Sequence, residues 1–197
     1  MMSTNLKRVS GAAALLMAAV LPAEAHFGGG TTSWFADGLA HPLSGLDHAT
    51  AMVAVGLWAV LRGGRAVWAW PLAFVGVMLF GGVLGMLHLP LPLVEPGILA
   101  SVVALGLLVA LAIELPVSVG VAIIGPFALL HGHAHGSGIP QNTGALEYMA
   151  GFAVATALLH GVGIAAALGL GPKLRSLVRV AGATCAAVGV GLALGVV

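Results

Sequence analysis

The sequence predicts an all-α membrane protein: a cleavable signal peptide followed by a six-helix transmembrane bundle. Three observations predict it. The 197-residue chain is 60% hydrophobic and only 7% charged, where a water-soluble domain carries about 25% charged residues. Its mean hydropathy is +1.11. Apolar stretches that approach the roughly 20 residues of a membrane span recur along its length. Seven basic and six acidic side chains are too few to cover a globular surface, so lipid is the solvent for most of the chain.

Residues 1–25 have the form of a secretory signal, and residues 26–197 that of one transmembrane domain. Lys7 and Arg8 make a positive start, Gly11 to Leu21 an apolar centre, and Ala23-Glu24-Ala25 a small-x-small cleavage site. An uncleaved first helix is the alternative. Cleavage leaves His26 as the mature N-terminus, outside the cytoplasm.

Six spans follow at about 42–61, 69–89, 97–114, 116–135, 146–170 and 177–197, by the length rule for bilayers. Between the third and fourth, Glu114-Leu115-Pro116 leaves almost no loop. It reads as a tight turn, because 97–135 is far too long for one crossing. Charge orients the path. Arg62 and Arg65 fall in the first cytoplasmic loop, and Lys173, Arg175 and Arg179 in the third, as the positive-inside rule expects. Asp37 and Glu95 then lie outside. The expected location is a bacterial inner (cytoplasmic) membrane, with both mature termini periplasmic. Among thirty glycines, Gly81 with Gly85, and Gly189 with Ala193, have the small-xxx-small spacing of close helix contacts. The four tryptophans suit membrane interfaces.

Several functions are excluded. A formal charge of +1 with no Lys/Arg cluster leaves nothing to track nucleic-acid phosphates. The single cysteine, Cys185, rules out an internal disulfide and a Cys-based zinc site. No phosphate-binding loop, nucleophile elbow or His-Glu-x-x-His motif occurs. Eight histidines outnumber all carboxylates, and ionisable groups inside a membrane are expensive enough that their positions are informative.

The first constellation is His41-Pro42-Leu43-Ser44-Gly45-Leu46-Asp47-His48, then Met52. Pro42 suits a first helical position. On one continuous helix His41, His48 and Met52 share a face to within about 40°, with His41 and His48 about 10 Å apart along the axis. That is a ladder of stations leading inward. Asp47 points about 100° away and calls for a partner on another helix. It is either the counter-charge of a passing cation or, with a histidine, a hydrogen bond that glues two helices.

The second constellation is Phe127 to Gly136, with His131, His133 and His135. His131 and His135 stand one turn apart on one face, the spacing at which two helical imidazoles chelate one metal. His133 faces nearly the opposite way. A His-rich loop that binds metal incidentally is the alternative. His160, near mid-depth of the fifth span, is a ligand candidate against the packing role more usual for a lone helical histidine. Glu147 opens the fifth span, where it equally suits the helix dipole.

These residues resemble the HupE/UreJ family, membrane proteins associated with hydrogenase and urease gene clusters and regarded as nickel permeases. The resemblance rests on His-Pro-x-x-Gly-x-Asp-His at His41 to His48, continued by Ala51-Met52 and Gly56-Leu57-Trp58-Ala59. It rests also on Phe-x3-His-Gly-x-Ala-His-Gly at Phe127 to Gly136. Val94-Glu95-Pro96-Gly97 and the run from Gly151-Phe152 to Leu159-His160 add to it. It covers essentially the whole chain. It implies that His41, Asp47, His48, Glu95, His131 and His135 carry metal passage. One departure is Gly138, where many members have Glu; Glu147 is the candidate replacement.

Residues and resemblance together point to a non-ATPase divalent-metal permease, with Ni2+ the expected cargo and Co2+ or another first-row ion the rival. No prosthetic group is expected. A membrane accessory protein that holds metal without moving it, and an intramembrane metalloenzyme, are the readings from other classes. The second lacks a visible nucleophile or base set, so the chain is not read as an enzyme. Expected partners are the metal ion, the lipid bilayer, and a second copy of the chain or a metallochaperone.

Overall fold

Ser33 caps the first helix: its Oγ accepts the Ala36 N–H at 3.3 Å, and α1 runs Trp34–Ser44. Residues 33–139 and 144–197 are described by the computed structural model. The expected signal peptide, its cleavage site and His26 lie outside them. After α1 come α2 (Leu46–Arg62), α3 (Ala66–Met86), α4 (Val94–Ala110), α5 (Val117–Ser137), α6 (Ala145–Leu170), a short 3-10 turn (Pro172–Leu174) and α7 (Arg175–Ala193). Among the described residues there is no strand.

The first expected span is broken. α1 and α2 meet at Gly45 with a bend of 82°. Pro42 therefore does not open a span but lies inside α1. Its missing N–H frees one carbonyl, and the helix ends two residues later. What extends α1 upstream is packing: a Cβ on Gly38 would overlap the Tyr148 carbonyl, and one on Gly151 the Phe35 carbonyl, so α1 lies backbone to backbone on α6.

Four helical units are long and apolar enough to cross a bilayer alone: α3, α5, α6 and the Pro172–Ala193 unit. The α1–α2 pair makes a fifth as a bent span. α4 has 17 residues, a rise of about 26 Å against a hydrocarbon core of about 30 Å. Among the described residues, four or five units thus reach the length of a span, and α4 is a shorter apolar helix beside them. Trp68, Leu72, Phe80, Leu158 and Leu168, each at least 58% exposed, point outward from these helices. Contiguous apolar surface of this kind suits acyl chains rather than water.

The helices α2 to α7 alternate in direction between two ends. At the arginine end the turn between α4 and α5 is tied down on all sides. Arg62 Nε–H donates to the Leu115 carbonyl at 2.8 Å, and Arg179 Nε–H to the Ala110 carbonyl at 2.8 Å. Arg175 pairs with Glu114 at 2.6 Å. Glu114-Leu115-Pro116 is accordingly a turn, and both basic loops share one end. Trp58 and Trp70 do not sit at an interface. They are fully buried, with ring centroids 4.1 Å apart, and their indole N–H groups donate to the Ile113 and Val117 carbonyls at 2.8 and 3.0 Å. Trp34 and Trp68 are exposed.

At the opposite, histidine end, α3 and α5 touch backbone to backbone. A Cβ on Gly85 would overlap the His133 carbonyl, and one on Gly132 the Met78 carbonyl. The small-xxx-small pair of α3 thus meets a matching pair, Gly132 and Gly136, on α5. That contact fixes where His131 and His135 enter the core.

Candidate metal site

The break at Gly45 makes the site. It leaves Asp47 in the first turn of α2, where its carboxylate folds back over its neighbour. Asp47 Oδ1 accepts the His48 backbone N–H at 2.8 Å and the His48 Nδ1–H at 2.7 Å. The expected partner on another helix is replaced by the adjacent residue, because a helix start offers free amides that a continuous helix would have used. An ionised carboxylate only accepts, so Nδ1 carries the proton and Nε2 the lone pair. That Nε2 is buried and meets no protein partner.

His131 is oriented by a second device. Ser101 of α4 donates its hydroxyl to the Ile98 carbonyl at 2.6 Å. Its lone pair therefore accepts the His131 Nε2–H at 2.9 Å. His131 is fully buried, and its Nδ1 is left without a partner. His135 Nε2 is in the same condition. Orphaned buried polar atoms are rare enough to need an explanation. Here they are ring nitrogens of three neighbouring imidazoles.

The rings form a file. His41, exposed at the end of α1, meets His135 with centroids 4.7 Å apart; His135 meets His48 at 4.4 Å; His48 meets His131 at 4.6 Å. The ladder expected on one continuous helix is replaced by a zigzag between α1–α2 and α5. The bend turns His41 away from the α2 axis and places it against the same imidazole that His48 touches. All three contacts are edge to face. Among the described residues no three His, Cys, Asp or Glu side chains already stand as a ligand set around one point. The file is a row of neighbouring imidazoles rather than a closed cage, an arrangement suited to transient holding.

The structure thus brings together His41, Asp47, His48, His131 and His135. Glu95 stands elsewhere, exposed in the first turn of α4, lining an outward cavity with Leu99, Val103 and Ala193. Glu147 is exposed in the first turn of α6, next to Tyr148, whose ring lies 5.9 Å from His41. Two residues gain importance from the fold. Ser101 carries no signal in the sequence, being one hydroxyl in an apolar run. His160 is 1% exposed, and both its ring nitrogens lack a partner.

His133 turns away, as its position in the helix predicts: its Nε2–H donates to the Leu89 carbonyl at 2.7 Å, and its Nδ1, buried and unpartnered, belongs to a ring outside the file. His131→Ala and His135→Ala should each lower metal uptake by about ten-fold or more, while His133→Ala lowers it far less. Uptake in whole cells, normalised to membrane-protein level, checks this. The order would be wrong if His133→Ala were the most damaging of the three.

The chain matches the family model described as HupE / UreJ protein over residues 13–192. The protein named Protein HupE from Rhizobium leguminosarum bv. viciae is 48% identical over 183 residues, which cover 91% of this chain and 95% of that protein. No solved structure matches.

Proposed function

The chain belongs to the HupE/UreJ family, and from that premise we propose that it is a secondary permease, not an enzyme. It carries a divalent metal ion, nickel first, from periplasm to cytoplasm for maturation of a metalloenzyme such as hydrogenase or urease. Its setting is the bacterial inner membrane, histidine end outward and arginine end inward, in accord with the positive-inside rule.

The observation that carries this reading is that three buried, unpartnered nitrogens at one end, His48 Nε2, His131 Nδ1 and His135 Nε2, belong to rings in a single file of edge-to-face contacts. Imidazole nitrogen suits nickel, copper, zinc and iron. Asp47 fixes the His48 tautomer and supplies the negative charge that offsets a partly dehydrated cation. The broken helix adds to it, since the C-terminal end of α1 presents the negative pole of its dipole beside His41. A cation meeting exposed His41 first would exchange water for imidazole one ring at a time. Shallow successive sites of this kind allow release as well as capture.

Driving force needs no nucleotide. A divalent cation moving inward across 100 mV gains about 4.6 kcal/mol, which at about 1.4 kcal/mol per decade supports roughly thousand-fold accumulation. The test is flux. Purified protein in liposomes with an inside-negative potential should accumulate Ni2+, and an ionophore that collapses the potential should stop it. Binding without accumulation would instead favour a metal-holding accessory role. Preferential uptake of Co2+ in competition would reassign the cargo.

A further inference from the structure

His160 lies on α6, packed against α2 and α3. Its ring meets Phe74 of α3 at 5.1 Å, and Phe74 also stands 5.7 Å from His131. One turn toward the histidine end, Thr156 Oγ–H of α6 donates to Met78 Sδ of α3 at 3.5 Å. From the third side α2 presses in: a Cβ on Gly56 would overlap the His160 carbonyl, and one on Gly163 the Val53 carbonyl. All of Phe74, Met78, Thr156 and His160 are buried.

Neither nitrogen of His160 meets a protein partner. A buried polar group in that state costs free energy that leucine at the same position would not. Packing alone therefore does not account for histidine here. Phe74 touches both this ring and that of His131, so it joins His160 to the inner end of the outer file.

We propose that His160 is an inner station for the transported cation, distinct from the outer imidazole file and reached from His131 past Phe74. The nature of the cargo rests on the permease reading; the site itself does not. An imidazole nitrogen, with the Thr156 hydroxyl and Met78 thioether one turn away, suits a borderline-soft first-row cation and is poor for calcium or magnesium, which take oxygen. One strong ligand makes the station weak. A cation leaving several outer imidazoles can pass a weak inner site without being trapped.

Metal-directed oxidation tests the site without transport. The full chain in detergent is loaded with Cu2+, treated with ascorbate and oxygen, quenched with chelator and mapped by mass spectrometry. His160 should become 2-oxo-histidine in a copper-dependent manner. Oxidised outer histidines beside an unmodified His160 would overturn the proposal. Flux supplies the second arm: His160→Leu should be at least as thermostable as the parent yet carry Ni2+ about ten-fold more slowly. His160→Gln, which keeps polarity without an imidazole, should be slow as well. Normal flux in either variant would make His160 a packing residue. If the parent protein carries no Ni2+ but His160 is oxidised by copper, the permease reading fails and the inner site stands.

Discussion

Asp47→Asn should bring metal uptake to near background while the protein remains inserted and abundant. One loss follows from this change. The negative charge that offsets the cation disappears in a setting where a lone charge costs about 2.5–3.5 kcal/mol on insertion scales. The hydrogen bonds can stay: a single oxygen, Oδ1, accepts from both the His48 backbone N–H and the His48 Nδ1–H at 2.8 and 2.7 Å, and an asparagine amide oxygen has the two lone pairs to do the same. The variant therefore isolates the charge from the orientation of the ring. Nickel uptake in cells lacking other importers, normalised to protein level, is the measurement. Near-normal uptake would remove the charge from the mechanism. Loss of the protein along with uptake would show that the pair serves folding.

Gly132→Ala should have the largest effect on stability of any single methyl group. A Cβ there overlaps the Met78 carbonyl, with the Gly82 amide nitrogen 2.9 Å away, and backbone cannot rotate aside as a side chain can. α3 and α5 must separate, at a cost of about 1–3 kcal/mol for overpacking, carrying His131 with them. A built-in control lies on the partner helix. A Cβ on Gly76 of α3 meets nothing within 4 Å, so Gly76→Ala should stabilise that helix by up to about 1 kcal/mol. Thermal unfolding in detergent should order the variants Gly76→Ala, parent, Gly132→Ala, with uptake lost only in the last. Equal stability of the two alanine variants would contradict the close contact of α3 with α5.

What the sequence made legible was what helical spacing alone decides. His131 and His135 share a face and His133 leaves it, because that depends on 100° per residue and on nothing else. The apolar stretches and the tight turn at Glu114-Leu115-Pro116 follow from length and polarity. The bend at Gly45 was hidden for the same reason: periodicity counted straight through it, from His41 to Met52, made a ladder of what is a corner. Asp47 was assigned a partner on another helix because a continuous helix offers it none nearby. Ser101 and the surroundings of His160 depend on which helix packs where. Glu95 entered through family resemblance, and the fold sets it on the outer surface at the start of α4.

The stacked indoles at the arginine end have a consequence for the energised membrane. Neighbouring imidazoles, each with one protonated and one free nitrogen, can relay protons by hopping, and a relay that crossed a bilayer would dissipate its potential. Trp58 and Trp70 cannot take part in such a relay. Indole N–H only donates, and both are already committed to the Ile113 and Val117 carbonyls. Neither ring can pass a proton onward. The same pair that anchors the α4–α5 turn therefore adds no proton carrier to the arginine end of the bundle.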